Sequence, residues 1–122
     1  MVVSAPAPGE GRKKYPHLSK QDLSACRADL LELMQSVNFG RIEHLPISNG
    51  EPIVDPRPVI VRELKFGGDN GPRPELGIGD FLLKQQAVEL FAFFDELWDG
   101  VIDVLEVKHG LPFRVIVTEV SA

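Results

Sequence analysis

"GRIEHLPISNGEP" spans residues 40–52, and "GVIDVLEVKHGLP" spans residues 100–112. Sliding the chain against itself by sixty residues, without a gap, aligns 28–53 with 88–113. Identical pairs are Leu30/Leu90, Gly40/Gly100, Ile42/Ile102, Leu45/Leu105, Gly50/Gly110 and Pro52/Pro112. Conservative pairs include Leu33/Phe93, Met34/Phe94, Val37/Leu97, Glu43/Asp103 and Ile47/Val107. The agreement falls on positions that stop a helix, make a turn or face a core. It therefore reads as an internally duplicated helix–strand–turn–strand unit rather than a compositional accident.

Working outward, each element has a local cause. Ser19 and Asp22 form a capping-box-like start, and Leu23, Cys26, Leu30, Leu31, Leu33, Met34 and Val37 recur at helical spacing. The spacing predicts an amphipathic helix over 20–37. Gly40 is expected to close it in a left-handed conformation. A strand over 41–48 follows, then Asn49-Gly50, the strongest short hairpin signal, because a type I′ turn needs positive φ at both central residues. "VIVRELKF" at 59–66 reads as a further strand. Residues 67–79 hold five glycines and two prolines, so they read as a connecting loop.

The second helix is expected over about 80–99, on a stripe of Leu83, Ala87, Leu90, Phe91, Phe94, Leu97 and Trp98 that Leu82 and Phe93 widen. Gly100 is expected to end it. A strand over 101–108, a turn at His109-Gly110 and a returning strand over 112–120 complete the second copy. The predicted fold is α+β in two layers, with two helices on one face of a mostly antiparallel sheet of four or five strands. Residues 1–17 read as a mobile tail, and 18–122 as one domain of two repeats, about 18–66 and 80–122.

The strands carry a further shared oddity. Ile42 and Ile102 have even parity, whereas Leu45, Ile47, Leu105 and Val107 have odd parity. A strand keeps its buried residues in one parity unless something shifts it. A β-bulge near 43–45 and another near 103–105 would do so, and a strand buried on both faces by a second copy is the rival.

The helix closed by an aromatic residue and glycine, the strand, the Asx-Gly turn and the return strand resemble the YezD-like small bacterial proteins. The resemblance covers about 30–53, and more loosely 90–113, where His109 replaces the Asx residue. Those proteins have no settled biochemical role, so what the resemblance implies is architecture and a bacterial setting. One residue more separates glycine from turn here than in that family.

Charge is placed unevenly along a chain of net charge −5. Residues 1–20 carry Arg12, Lys13, Lys14 and Lys20 against Glu10, whereas 74–103 carry seven acids against Lys84. An acidic body disfavours duplex binding, since phosphate neutralisation supplies most of that affinity. A nucleic-acid-binding reading would have to use the basic tail with Arg57, Arg62, Lys65 and Arg73. The N-terminus shows no signal-peptide pattern, and no run is long and apolar enough for a membrane span. The single cysteine, Cys26, excludes an internal disulfide, reads as a core thiol and points to a reducing cytoplasm.

Signs of chemistry are sparse. His17, His44 and His109 share no ligand spacing, so neither a metal nor a cofactor is expected. "GGDNG" at 67–71 and "GIGD" at 77–80 lack the lysine of a phosphate loop, and Asp69 and Asp80 would repel an anion. Glu43 and Asp103, together with His109, are the material for an acid–base site between the halves, the enzymatic alternative. The favoured reading is a non-enzymatic binding or regulatory protein whose partner is another protein or a second copy. Its interface candidates are Leu82, Phe91, Phe93, Phe94 and Trp98, because the second helix spreads apolar residues over a wide arc. Gly40, Asn49, Gly50, Gly100, His109 and Gly110 are assigned structural turn and cap roles.

Overall fold

A computed structural model describes residues 18–68, 70–77, 80 and 82–119 of the 122-residue chain. The tail expected over 1–17 lies outside these residues, as do Asp69, the 78–79 part of "GIGD" and the end of the last expected strand. The fold is α+β. Helix α1 is Ala25–Val37, strands β1, β2 and β3 are Gly40–Ser48, Glu51–Pro52 and Val59–Arg62, helix α2 is Gln85–Leu97, and strands β4 and β5 are Gly100–Lys108 and Leu111–Ile116. Short 3-10 turns occupy Lys20–Asp22 and Pro74–Gly77. No helix among the described residues is long and apolar enough to cross a membrane.

Both helices begin later than their apolar periodicity suggests. Asp22 accepts from the Ser19 amide at 2.9 Å and from its hydroxyl at 3.2 Å. That box caps the 3-10 turn, whereas α1 is capped by Ser24, whose hydroxyl accepts from the Arg27 amide at 3.2 Å. Lys20 leaves the basic stretch to pair with Glu32 on α1 at 2.7 Å. Cys26 is half-buried and stands outside the core cluster.

The helix ends are a second correction. The positive-φ residue is Asn38 after α1 and Trp98 after α2, each with φ 64° and ψ −61°. The amide of Phe39 donates to the Val37 carbonyl at 2.7 Å, and that of Asp99 to the Leu97 carbonyl at 2.7 Å. These are γ-turns, a strained way to reverse a chain. Gly40 has a different reason to be glycine. At φ 155° it runs so close to β3 that a Cβ would stand 2.1 Å from the Val61 carbonyl oxygen.

The sheet is antiparallel. β1 pairs along one edge with β4, and along the other with β2 at its end and β3 at its start. β5 lies outside β4. The central register places Gly40 opposite Val107, Ile42 opposite Leu105, Leu45 opposite Ile102 and Ile47 opposite Gly100. Moving each residue by sixty exchanges the first pair with the last and the second with the third. Both hairpin turns have left-handed central residues, with φ 54° and 77° at Asn49 and Gly50 and 56° and 71° at His109 and Gly110.

The change of buried parity is present in both strands: Ile42, Leu45 and Ile47 are buried in β1, and Ile102, Leu105 and Val107 in β4. No extra residue produces it. Glu43 opposes Val104 and Leu45 opposes Ile102, so the register on both sides of His44 is the same. His44 instead turns left-handed, with φ 58°, at the crossing point. The bulge lies between β4 and β5, where the pairing shifts at Glu106/Val107 and Phe113 is the additional residue.

One cluster forms the core. It joins Leu30, Leu31, Met34 and Val37 of α1 and Ala87, Leu90, Phe91 and Phe94 of α2 to the buried strand residues. Fully burying a side chain such as Phe94 is worth about 1.5–3 kcal/mol against leaving it in water, so these helices are held by packing rather than by propensity.

Candidate binding surfaces

The five interface candidates separate into three environments. Phe91 and Phe94 are core residues, 2 % and 0 % exposed, and no surface can present them. Phe93 is half-buried against the core. Leu82 and Trp98 are exposed, at 66 % and 49 %. Trp98 follows α2 as its cap, and its ring lies against Gly50, where an added Cβ would meet it at 3.2 Å. A continuous aromatic face on α2 is therefore not formed, because Phe91 and Phe94 belong to the core cluster.

A larger apolar surface lies on the sheet. Where Ile42, Ile60, Leu105 and Val115 turn inward, their neighbours turn outward. Val59, Glu43, Val104 and Ile116 form one row across β3, β1, β4 and β5, and Val61, Arg41, Glu106 and Arg114 form the next. Val59, Ile116 and Phe113 are each about half exposed, at 51 %, 46 % and 55 %. Arg41 pairs with Glu43 at 2.6 Å, Arg114 pairs with Glu106 at 3.0 Å, and the Lys108 ammonium lies 4.0 Å from the Phe113 ring centroid. Exposed ion pairs like these contribute little to stability. Val101, at 47 % exposure, extends the apolar area along β4.

The acid–base candidates engage separate partners. Glu43 is taken by Arg41, while Asp103 accepts from the Thr118 hydroxyl at 2.5 Å. His109, at the far end of β4, meets the Phe39 ring edge-on at 4.7 Å. Among the described residues no group of three His, Cys, Asp or Glu side chains is placed to hold a metal ion. The basic candidates are also dispersed. Arg62 donates to the Ser36 and Val37 carbonyls at 2.6 and 3.3 Å, satisfying the last turn of α1. The Lys65 ammonium sits 4.8 Å from the Phe39 ring centroid. Arg57 is exposed, and Arg73 packs its side chain on Gly110.

Two sites between helix and hairpin remain, one filled by a side chain and one open. In one, Arg27 of α1 donates from Nη2 to Asp95 at 2.6 Å and to the Gly50 carbonyl at 2.9 Å. Its Nε lies 3.9 Å from Glu51, and its guanidinium 5.5 Å from the Phe91 ring centroid. In the other, a cavity of about 320 Å³ opens beside Ala87. Leu31, Gln35, Leu83, His109 and Leu111 are among its walls.

Part of the sheet face and the Ala87 cavity escaped sequence reasoning for different reasons. Val59 and Ile116 read as ordinary strand formers, whereas Val104, with Val101, already fits a strand buried on both faces by a second copy. The cavity has one signal in the sequence: at a shift of sixty, Arg27 stands against Ala87 and Asp95 against Gln35, so a charged pair in one place has no charged counterpart in the other. Comparison with family models, with curated proteins and with solved structures finds no match.

Proposed function

We propose that this is a small non-enzymatic binding protein that acts through protein–protein contacts and pairs with a second copy across the open face of its sheet. The observation that carries the reading is the row Val59, Glu43, Val104 and Ile116, apolar at three of four strands and flanked by ion pairs. A patch of this kind on a protein surface marks an interaction site. Acidic and basic side chains lie in the same patch, so a twofold-related copy can set Arg41 or Arg114 over the other's Glu43 or Glu106. This face, rather than α2, takes the role of interface, with Trp98 and Leu82 as separate exposed residues.

The architecture we infer beneath it is a duplicated αββ unit in two layers, with both helices over the apolar face. Its support is the symmetric β1–β4 register, equal helix lengths and equal γ-turns, all sixty residues apart. The likeness to YezD-like bacterial proteins belongs to the same reading, as architecture alone. A reducing cytoplasmic setting accords with the one cysteine of the chain.

Sedimentation equilibrium over roughly 1–200 µM tests the proposal, a range suited to interfaces of modest area. The wild type is expected to dimerise and Ile116→Arg to remain monomeric and folded, with the thermal transition of the dilute, monomeric wild type, because Ile116 is 46 % exposed and lies outside the core. A wild-type protein monomeric throughout, or a variant that dimerises as well as the parent, removes the sheet-face reading.

A further inference from the structure

The Arg27 pocket and the Ala87 cavity are built from corresponding residues. Arg27 touches Asp95, Gly50, Glu51 and Phe91. Subtracting or adding sixty gives Gln35, Gly110, Leu111 and Leu31, and all four line the cavity, as does Ala87, the counterpart of Arg27. In the first pocket the long side chain fills the space and its charge is met by two carboxylates and a carbonyl. In the second, a methyl group stands in its place and the space stays open.

The polar partner there has been left without a bond. Gln35 is 5 % exposed, and among the described residues its buried Oε1 has no hydrogen-bond partner. A buried acceptor in that state destabilises the fold that contains it. The rest of the wall decides what could satisfy it. Leu31, Leu82, Leu83, Ala87 and Leu111 are apolar, His109 is polar, Lys84 and Arg73 add positive charge, and no acid is among the described lining residues. That lining repels a cation, so the guanidinium solution of the first pocket does not transfer. About 320 Å³ is the volume of roughly ten water molecules, near the lower end for ligand sites.

We propose that the cavity beside Ala87 binds a small uncharged molecule of about ten heavy atoms, with an apolar ring-sized body and one N–H or O–H donor directed at Gln35. The body occupies the volume that the Arg27 side chain fills in the other pocket, between Leu31, Leu83 and Leu111. The donor supplies to Gln35 what Arg27 supplies to Asp95. This site is independent of the sheet face and of any self-association there.

Indole serves as the probe, with 1-methylindole as the matched molecule without a donor and benzoate as an anion of similar size. Binding is followed in the full chain by amide and side-chain NMR shifts. Indole is expected to shift Gln35, Ala87 and Leu111 in a saturable way. 1-Methylindole is expected to bind at least about tenfold more weakly, the scale of one hydrogen bond to a buried group. Gln35→Leu should reduce indole affinity by a similar factor while raising the Tm of the free protein. Such an exchange of affinity for stability is not expected of a residue that only packs. Ala87→Arg with Gln35→Asp rebuilds the first pocket and should abolish binding. Ala87→Leu does the same with a smaller change should the double variant fail to fold. The proposal is overturned if indole leaves these residues unshifted at millimolar concentration, if 1-methylindole binds equally well, if benzoate binds more tightly than indole, or if a folded, filled variant still binds.

Discussion

The amide of Gly50 donates to the carbonyl of Trp98 at 2.8 Å, and sixty residues on the amide of Gly110 donates to the carbonyl of Asn38 at 2.9 Å. Each hairpin turn is thus tied to the γ-turn that ends the opposite helix. The bond explains why the chain tolerates a strained turn at these two places. The γ-turn aims a carbonyl, otherwise unpaired at the helix end, at a donor that the hairpin supplies.

The two γ-turn residues should respond differently to substitution. Asn38 is buried at 7 % exposure, and its Nδ2 donates to the Gly71 carbonyl at 3.0 Å. Asn38→Ala loses that bond and sets a less tolerant residue at positive φ, so a loss of about 2 kcal/mol is expected. Trp98→Asn keeps the backbone bond, relieves a bulky residue at φ 64° and gives up half-exposed packing. Its net change should stay within about 1 kcal/mol, since strain of this kind costs about that much. Urea midpoints at constant m-value measure both.

Gly40 and Gly100 align, yet only one is constrained. A Cβ at Gly40 collides with the Val61 carbonyl, whereas at Gly100 it meets the Leu97 side chain at 3.2 Å. Gly40→Ala should destabilise by at least about 2 kcal/mol, and Gly100→Ala by less than about 1. Comparable losses at both positions would contradict the close approach of β3 to Gly40.

Phe94→Ala should cost about 3–5 kcal/mol, as expected for a large core side chain replaced by a methyl group. Leu82→Ala, at an exposed position, should change stability by less than about 0.5 kcal/mol. Thermal melts of the two variants read this contrast directly.

Arg27 and Asp95 connect α1 to α2 at 2.6 Å, with Arg27 16 % and Asp95 49 % exposed. A double-mutant cycle on Arg27→Met and Asp95→Asn should give a coupling of about 0.5–1 kcal/mol, because solvent reaches the carboxylate. The coupling should fall between roughly 0.05 and 1 M salt as the Debye length shortens. A coupling that grows with salt would contradict an electrostatic pair.

Much of the fold was legible because local rules act on few residues. Asn49-Gly50 writes its turn in two letters, and the apolar period of 30–37 and 90–97 allows little but a buried helical face. The helix ends were misjudged, since Gly40 is a common stop signal while its actual constraint is a strand that arrives twenty residues later. The bulges were misplaced for a related reason. Parity showed that the inward face changes, but an extra residue and a left-handed His44 leave the same trace in one dimension.

Of the interface candidates, Phe91 and Phe94 prove to be core residues, because a count of apolar residues carries no information about their cover. Phe91 and Phe94 belong to the main stripe and Phe93 to its margin, and only tertiary packing makes the first two buried and the third half-buried. What the chain decided alone was the set of elements, their sixty-residue correspondence and the residues able to turn. Those follow from φ preference and side-chain periodicity, which are properties of neighbours in sequence. The tertiary structure decided which strand edges meet, which sheet face stays bare, and that Arg27 fills one pocket while Ala87 leaves its counterpart open. These depend on contacts between residues far apart in the chain, where burial and volume are set jointly by both partners.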